Sequence, residues 1–355
     1  MTSGLDEVVA AQTILSDVDG VGGRLTIRGH ALEALARWRC EEAIGLLLDG
    51  FFDDLPDTTG IFARLAAARG EVHALLAPLL PRLAAAGAYD GTRAGIALLP
   101  DDTSLAGALR LIAAPAVLLP ALLRVQAGAA AIAPDASLPH AQDMQRMLAG
   151  TLDLAKARAL ETYLVTVCDH GLNASTFAAR VVASTRAGLT SSVLAGLGAL
   201  KGPLHGGAPG PVIAMLDAIA RDGDARGWIE AALAQGDRIM GFGHRIYRTR
   251  DPRADALKAA VRRLGGGRIA FAETVEEAAL EALRAAKPHR ALQTNVEYYT
   301  ALLLEAVGFP PEAFTGVFAA GRVVGWIAHA REQALTGRLI RPRSVYVGPV
   351  PELAA

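Results

Sequence analysis

The stretch from Gly241 to Arg253 combines residue types that suit chemistry on an anionic substrate. His244 lies beside two closely spaced glycines, which predicts a tight loop, and a loop histidine can donate or accept a proton near neutral pH. Four arginines follow within nine residues. Because an arginine fork can bind a carboxylate or a phosphate through two hydrogen bonds, the stretch indicates acid/base chemistry on an anion.

Three further segments carry residues of the same kind. Residues 169–175 place His170 between an apolar helix and a helix N-cap, and residues 201–211 place His205 in a glycine-rich loop before a helix. Glycines beside a histidine permit close approach of a ligand to the backbone. Glu297 falls in the first predicted turn of another helix, near the positive end of the helix dipole.

Two other uses of these residues deserve comparison. His205, His244 and Glu297 could form a metal site of two histidines and one carboxylate. No pair has the i, i+4 spacing of zinc-binding helices, and the nearby arginines would repel a cation, so we expect no metal. The loop around His205 is not a P-loop, because no Gly-Lys-Ser/Thr follows its glycines. The turn at 241–243, together with Arg248 and Arg250, could instead hold the phosphates of a nucleotide-like molecule such as coenzyme A.

Composition limits the classes of protein to consider. The chain has 355 residues, of which 52% are hydrophobic and 20% are charged, so it is long and apolar enough for a large folded core. A net charge of −1 gives no reason to expect nucleic acid or an anionic membrane as a partner. Two cysteines indicate no disulfide framework, and the first residues do not resemble a signal peptide, so we expect a reducing, cytoplasmic location.

The elements that must position these residues are predicted to be nearly all helical. Alanine and leucine dominate, and both favour helix. The apolar run at 111–123 contains two prolines and is too short to span a membrane, so we expect a buried pair of helices there. No flexible linker is visible, so any domain boundary is discontinuous. The expected helices are 32–48, 60–68, 74–86, 104–112, 141–149, 152–167, 175–184, 189–200, 212–220, 255–264, 275–286, 295–307 and 314–336, with a β-like segment at 24–27 and an extended tail at 338–353.

Taken in order, these segments resemble the citrate synthase family across nearly the whole chain. The 241–253 stretch is similar to that family's signature, and the segment around His205 is similar to its first catalytic loop. Further similar segments lie at 16–29, 169–177, 198–205, 321–333 and 341–343. The resemblance implies an all-α homodimer whose large domain comprises residues 1–210 and 315–355. A smaller, mobile domain would comprise residues 211–314, with the active site in the cleft between them.

The implied reaction joins acetyl-CoA to oxaloacetate and releases citrate and CoA. By family position Glu297 would remove a methyl proton, His205 would hydrogen-bond the enol oxygen, and His244 would polarise the ketone of oxaloacetate. No cofactor would be bound permanently, since acetyl-CoA is a co-substrate.

The resemblance also implies the binding residues. His170, Arg253 and Arg322 would hold the oxaloacetate dianion, and Arg341 would reach in from the partner subunit. CoA would contact Arg248 and the backbone at Met240, Gly241, Phe242 and Gly243.

Two departures from the family pattern bear on activity. Glu297 stands where an aspartate is usual, and Gly171 stands where many relatives carry glutamate. Glutamate is one methylene longer, and a misplacement of ~1 Å can cost about 10²-fold in rate. Three alternatives therefore stay open: a citrate synthase, a 2-methylcitrate synthase that uses propionyl-CoA, or a weakly active or non-catalytic CoA-binding paralogue.

Overall fold

The computed structural model describes residues 8–206, 209–244, 246–290 and 292–349. Helices dominate, and a small antiparallel sheet lies near the N-terminus with the strand order β1-β2-β3. The strands are β1 (Ser16–Asp19), β2 (Arg24–Ile27) and β3 (His30–Ala31). The α-helices are α1 (Leu32–Leu35), α2 (Cys40–Leu48), α3 (Thr58–Leu76), α4 (Leu80–Ala84), α5 (Ala88–Ile96), α6 (Leu105–Gln126), α7 (His140–Ala149), α8 (Leu154–Thr166), α9 (Ala174–Ser184), α10 (Leu189–Leu200), α11 (Pro209–Asp222), α12 (Ala225–Ala234), α13 (Pro252–Leu264), α14 (Gly267–Ala286), α15 (Val296–Val307) and α16 (Phe314–Thr336).

Side-chain caps explain where several of these helices begin. The side chain of Asp57 accepts a hydrogen bond from the amide of Gly60 at the start of α3, and Ser104 does the same for α6. Asn173 and Asn295 cap α9 and α15 in this way. Each cap pairs a backbone donor that the helix itself leaves unpaired. Two of the caps therefore stand immediately before segments that the sequence singles out for chemistry.

Helix α6 forms the centre of the core. Pro115 and Pro120 both lie inside it, so the predicted pair of short helices is wrong, although its burial is confirmed. By length and composition α6 could cross a membrane, but 89% of its apolar window is buried inside the protein. The prolines are tolerated because neighbouring helices α3, α5, α7 and α16 pack around α6 and hold it continuous.

Other boundaries differ from the sequence expectation. The predicted helix at 32–48 is broken, with α1 ending at Leu35 and α2 starting at Cys40. Helices α5 and α12 were not predicted. The extended tail and the long helix α16 are confirmed as far as Pro349. The division into domains at 210 and 315 stays a prediction.

The β1-β2 hairpin turn packs against the chain that follows His244. The carbonyl of Gly20 accepts a hydrogen bond from the amide of Arg248 at 2.8 Å. A Cβ atom on Gly20 would lie 2.5 Å from the carbonyl oxygen of Ile246, so only glycine permits this approach. The N-terminal sheet thus supports the loop that the sequence marks for chemistry.

His140, at the start of α7, predicts how stability responds to acid. The side chain is buried, and burial followed by the positive charge of Arg69 lowers its pKa to about 3. In the unfolded state His140 binds a proton below about pH 6.5, whereas in the native state it stays neutral down to about pH 3. The free energy of unfolding therefore rises with pH across this window. We expect His140→Phe to reduce the slope of the free energy of unfolding against pH by up to about 1.4 kcal/mol per pH unit.

The measurement is the free energy of unfolding by urea between pH 4 and pH 7. His289→Phe, at an exposed site, serves as the matched control and should leave the slope unchanged. Equal slopes for His140→Phe and the unmodified protein would contradict the assignment.

Candidate active site

One asparagine joins the loop that carries His244 to the start of helix α15. The backbone amide of Asn295 donates to the carbonyl of Gly241 at 2.9 Å, and its side-chain amide donates to the carbonyl of Gly243 at 2.8 Å. Its side-chain oxygen accepts from the amide of Glu297 at 3.0 Å. Asn295 therefore fixes the histidine loop and the carboxylate-bearing helix turn relative to each other.

The backbone of this loop needs its glycines. Gly241 has a φ of 86°, and a Cβ atom there would lie 2.7 Å from the ring of Tyr298. Phe242 forms an isolated antiparallel bridge with Thr294, and its ring packs against Tyr298 with 5.3 Å between the ring centroids. Gly243 also has a positive φ, of 82°. The sequence expectation of a tight loop at 241–243 is confirmed.

The hydrogen bonds of His244 define its protonation. Its Nδ1 accepts from the backbone amides of Ile246 and Tyr247, both at 3.0 Å, so the neutral ring carries its proton on Nε2. Burial, followed by the charge of Arg253, lowers the pKa of His244 to about 4. Its Nε2 lies 3.1 Å from Nη2 of Arg253. Two donors therefore lie side by side, and an oxygen atom that approaches both from one side could accept from both.

Asp251 holds Arg253 in place. The carboxylate accepts from Nε and Nη2 of Arg253 at 3.0 and 2.8 Å, and it also accepts from the amide of Val296 at 3.1 Å. Burial opposes the charged guanidinium, but Asp251 keeps the pKa of Arg253 above its ordinary value. Arg253 is therefore a buried, fixed cation that is tied to the first turn of α15.

His170 lies against the same group. Its Nε2 is 3.1 Å from the hydroxyl of Tyr247, and its ring centroid is 5.8 Å from that of His244. Burial and the charges of Arg253 and Arg322 hold its pKa well below the usual range. His170 is thus a neutral, buried histidine beside two cations.

Arg322, on helix α16, is the second of these cations. Its Nε donates to the carbonyl of Val167 at 2.6 Å, and its guanidinium lies 4.8 Å from the ring centroid of Phe318. Within the described part of the chain, its buried Nη2 has no hydrogen-bond partner. Burial lowers its pKa to about 10, which leaves it charged at neutral pH. An unpaired nitrogen on a buried cation is costly, and a ligand carboxylate would remove that cost.

His205 approaches the group from the glycine-rich loop after helix α10. Its Nε2 lies 2.8 Å from the hydroxyl of Ser175, which in turn accepts from the indole of Trp326 at 3.1 Å. Burial and the charge of Arg322 lower the pKa of His205 to about 4. Because Nε2 faces Ser175, the Nδ1 edge of this neutral ring is the one left to contact a ligand.

Glu297, in the first turn of α15, adds a carboxyl group close to Arg253 and Asp251. Burial raises its pKa to about 7, against the opposing charge of Arg253, while the negative charge of Asp251 adds to the increase. A carboxylate with this pKa is more basic than an exposed one. The Glu297 carboxylate is therefore suited to accept a proton from a weak acid.

Two predicted binding residues lie outside this cluster. Arg248 is exposed on the loop beside the N-terminal hairpin, and Arg341 is exposed on the extended tail. Neither belongs to the buried group within this chain. Met240 and Gly243 are half-buried, while Gly241 and Phe242 are buried. The predicted contacts of these six residues with CoA or with a partner's substrate stay predictions.

The sequence reasoning did not single out four residues that shape the site. They are Ser175, Tyr247, Asp251 and Phe318. Asp251 precedes Pro252 as the N-cap of α13, a pattern that could have identified it. Ser175 and Phe318 follow ordinary helical patterns, so no local signal distinguishes them. Among the described residues no cluster of three or more metal-ligating side chains is found.

The chain is also similar to known proteins in sequence. A sequence profile described as "Citrate synthase, C-terminal domain" matches residues 4–343. The putative citrate synthase 2 of Mycobacterium bovis is 39% identical over 359 residues, which cover 98% of this chain and 93% of that protein. The 2-methylcitrate synthase of Mycobacterium tuberculosis is 35% identical over 362 residues, which cover 97% and 90%.

A solved structure extends the similarity to three dimensions. It is the ternary complex of carboxymethyl coenzyme A and oxaloacetate with the citrate synthase of Thermoplasma acidophilum. The TM-score is 0.86 at 28% identity, and the match covers 100% of this chain and 98% of that one. The protein therefore has the all-α, two-domain fold of these enzymes and is an acyltransferase of the type that converts the acyl group into an alkyl group on transfer. On the profile match and these relatives, the chain belongs to the citrate synthase family.

Proposed function

We propose that this enzyme condenses acetyl-CoA with oxaloacetate and hydrolyses the resulting citryl-CoA to citrate and CoA. The observation that carries the proposal is the buried, unpaired Nη2 of Arg322 beside a second fixed cation, Arg253. Two guanidinium groups can each bind a carboxylate, and a neutral histidine can donate to a ketone oxygen. This set of groups suits a small keto-dicarboxylate. Oxaloacetate has this chemistry, and the Thermoplasma acidophilum enzyme is named as binding it.

The chemistry follows from the protonation states. The Nε2–H of His244 would donate to the ketone oxygen, and Arg253, whose Nη2 lies 3.1 Å from Nε2, would stabilise the charge that develops there. His170 and Arg322 would bind a carboxylate group of oxaloacetate. Because His244 titrates at about pH 4, it acts as a neutral donor at neutral pH.

The acetyl methyl group is a weak carbon acid, so removing its proton needs both a base and a stabilised oxygen. Glu297 is the proposed base, and Nδ1 of His205 is the proposed donor to the thioester oxygen. For Nδ1 to carry the proton, Nε2 must accept from a partner. The hydroxyl of Ser175 lies 2.8 Å from Nε2 and donates to the side-chain oxygen of Asn173 at 2.8 Å. Turning its single proton from Asn173 to Nε2 would supply that hydrogen bond.

We propose further that the active enzyme is a cytoplasmic homodimer. Arg341 would enter the partner's site from the exposed tail and complete the binding of the dianion. Arg248 and the 240–243 backbone would contact CoA. Closure of residues 211–314 onto the rest of the chain would exclude water during carbon–carbon bond formation.

A second substrate has specific support. A relative with 35% identity is named 2-methylcitrate synthase, the enzyme type that uses propionyl-CoA. Propionyl-CoA is one methylene larger than acetyl-CoA, a difference worth only about 1–3 kcal/mol in a pocket. The third alternative, a non-catalytic paralogue, rests on Glu297 in place of the usual aspartate.

Release of free thiol from acetyl-CoA and from propionyl-CoA, each with oxaloacetate, tests the proposed reaction. We expect robust turnover with acetyl-CoA and a higher kcat/KM for acetyl-CoA than for propionyl-CoA. The reverse preference would establish 2-methylcitrate synthesis. No thiol release with either acyl-CoA would support the non-catalytic alternative.

Glu297 predicts the pH dependence of that turnover. A base must be ionised to act, so kcat/KM for the acyl-CoA should rise with pH and level off above about pH 7, following the pKa of Glu297. Glu297→Gln should lower kcat by about 10²–10⁴-fold, and Glu297→Asp by about 10²-fold because the carboxylate moves back by one methylene.

The pH–rate profile of all three proteins provides the measurement. An Asp variant at least as fast as the unmodified enzyme would show that the longer side chain is a handicap. Unchanged turnover in Glu297→Gln would remove Glu297 from the base role.

Ser175 predicts a selective loss of rate. Ser175→Ala leaves Nε2 of His205 and the indole nitrogen of Trp326 without their partner. We expect kcat to fall about tenfold, the effect of one lost hydrogen bond of about 1.4 kcal/mol, while the KM for oxaloacetate stays the same. Steady-state kinetics with both substrates measure this.

Ser191→Ala is the matched control, since the hydroxyl of Ser191, at the start of α10 and away from His205, donates to Asp101. A rise in the KM for oxaloacetate without a change in kcat would contradict the role of Ser175 in orienting His205.

A further inference from the structure

The exposed tail that carries Arg341 is anchored at its base by two hydrogen bonds. The side-chain amide of Gln333 donates to the carbonyl of Arg338 at 2.9 Å. The amide of Ile340 donates to the hydroxyl of Ser184 at 3.0 Å. Both contacts lie within three residues of Arg341, and the tail beyond them is exposed as far as Pro349. The direction in which Arg341 leaves the protein is therefore set at these two points.

A buried cation fixes the orientation of the Gln333 side chain. Its Oε1 accepts from Nε of Arg180 at 3.1 Å, and Arg180 is only 2% exposed. Arginine can only donate, so the amide oxygen must face it and the NH₂ group must face the tail. Gln333 itself is 4% exposed, so its side chain is shielded from bulk water.

Arg180 belongs to a buried polar network that reaches the active site. Its Nη1 lies 2.6 Å from the carboxylate of Glu332 and 2.8 Å from Nδ1 of His329. The other nitrogen of His329 lies 3.2 Å from Asp169, whose carboxylate also accepts a hydrogen bond from Ser16. Asp169 directly precedes His170. One connected set of buried groups thus holds both the backbone before His170 and the base of the tail.

Gly337 makes the contact with the tail possible. It ends helix α16 with a φ of −89°, so any residue could adopt its backbone conformation. A Cβ atom there would nevertheless lie 2.1 Å from Nε2 of Gln333 and 2.6 Å from its carbonyl oxygen. Even an alanine at this position would displace the Gln333 amide from the tail, which offers an independent way to break the same contact.

We propose that Gln333, held by Arg180, is a positioning residue that directs the tail so that Arg341 reaches the substrate dicarboxylate. This inference rests on the proposed function, in which Arg341 binds oxaloacetate in the partner's site. Gln333 touches no substrate and acts through Arg341.

The test measures oxaloacetate binding to the full-length dimer by calorimetry, with steady-state kinetics alongside. Gln333→Glu keeps an acceptor for Arg180 but replaces the donor to Arg338 with an oxygen. Gly337→Ala displaces the unmodified amide. We expect each variant to raise the Kd for oxaloacetate about tenfold, the effect of one lost hydrogen bond, with a proportional rise in its KM. The KM for the acyl-CoA and kcat should change less than about twofold.

A double-mutant cycle separates this role from a merely structural one. If Gln333 acts through Arg341, adding Gln333→Glu to Arg341→Ala should raise the Kd no further. Thr336→Val is the control, because Thr336 lies on the same helix end and its hydroxyl donates to the carbonyl of Glu332. It should leave the Kd unchanged.

Multiplicative effects in the double variant, or an unchanged Kd in Gln333→Glu beside a raised Kd in Arg341→Ala, would overturn the inference. Absence of oxaloacetate binding to the unmodified protein would overturn it as well. A different result would contradict the proposed reaction: a protein that binds oxaloacetate but releases no thiol. In that case a raised Kd in Gln333→Glu would continue to support the role of Gln333.

Discussion

The burial of positive charge without a matching protein anion is the constraint on which the site depends. Arg322 is 1% exposed and keeps an unpaired nitrogen within the described structure. Arg253 is equally buried but is neutralised by Asp251. Burial, followed by the positive charge of one or both of these arginines, lowers the pKa values of the neighbouring histidines. Neutral histidines can donate a hydrogen bond to a substrate oxygen without adding further charge to the site.

The burial that lowers the pKa of the histidines raises the pKa of Glu297. Burial raises its pKa to about 7, although Arg253 opposes the change. Asp251 contributes twice, since it pairs with Arg253 and also accepts from the first turn of α15. His244, Arg253 and Glu297 are therefore linked through one carboxylate and one asparagine, Asn295.

Local sequence was a good guide where a side chain determines its own neighbourhood. The glycines at 241 and 243, the cap at Asn295 and the extended tail were all predictable, because each follows from short-range geometry. Helix α6 was predicted wrongly, since its two prolines favour a break that the surrounding helices override. Ser175 was not identified because its importance lies in contacts with His205 and Trp326, which are 30 and 151 positions away in sequence.

The sequence by itself determined the family, the helical class and the set of acid, base and cationic residues, because these depend on residue type and order. Only the tertiary structure decided which nitrogen of each histidine faces a ligand, which arginine keeps an open hydrogen-bonding position, and how far the pKa of Glu297 rises. It also revealed the buried network that joins Asp169 to Gln333. These properties depend on burial and on partners that are distant in sequence, and such partners meet only when the helices pack.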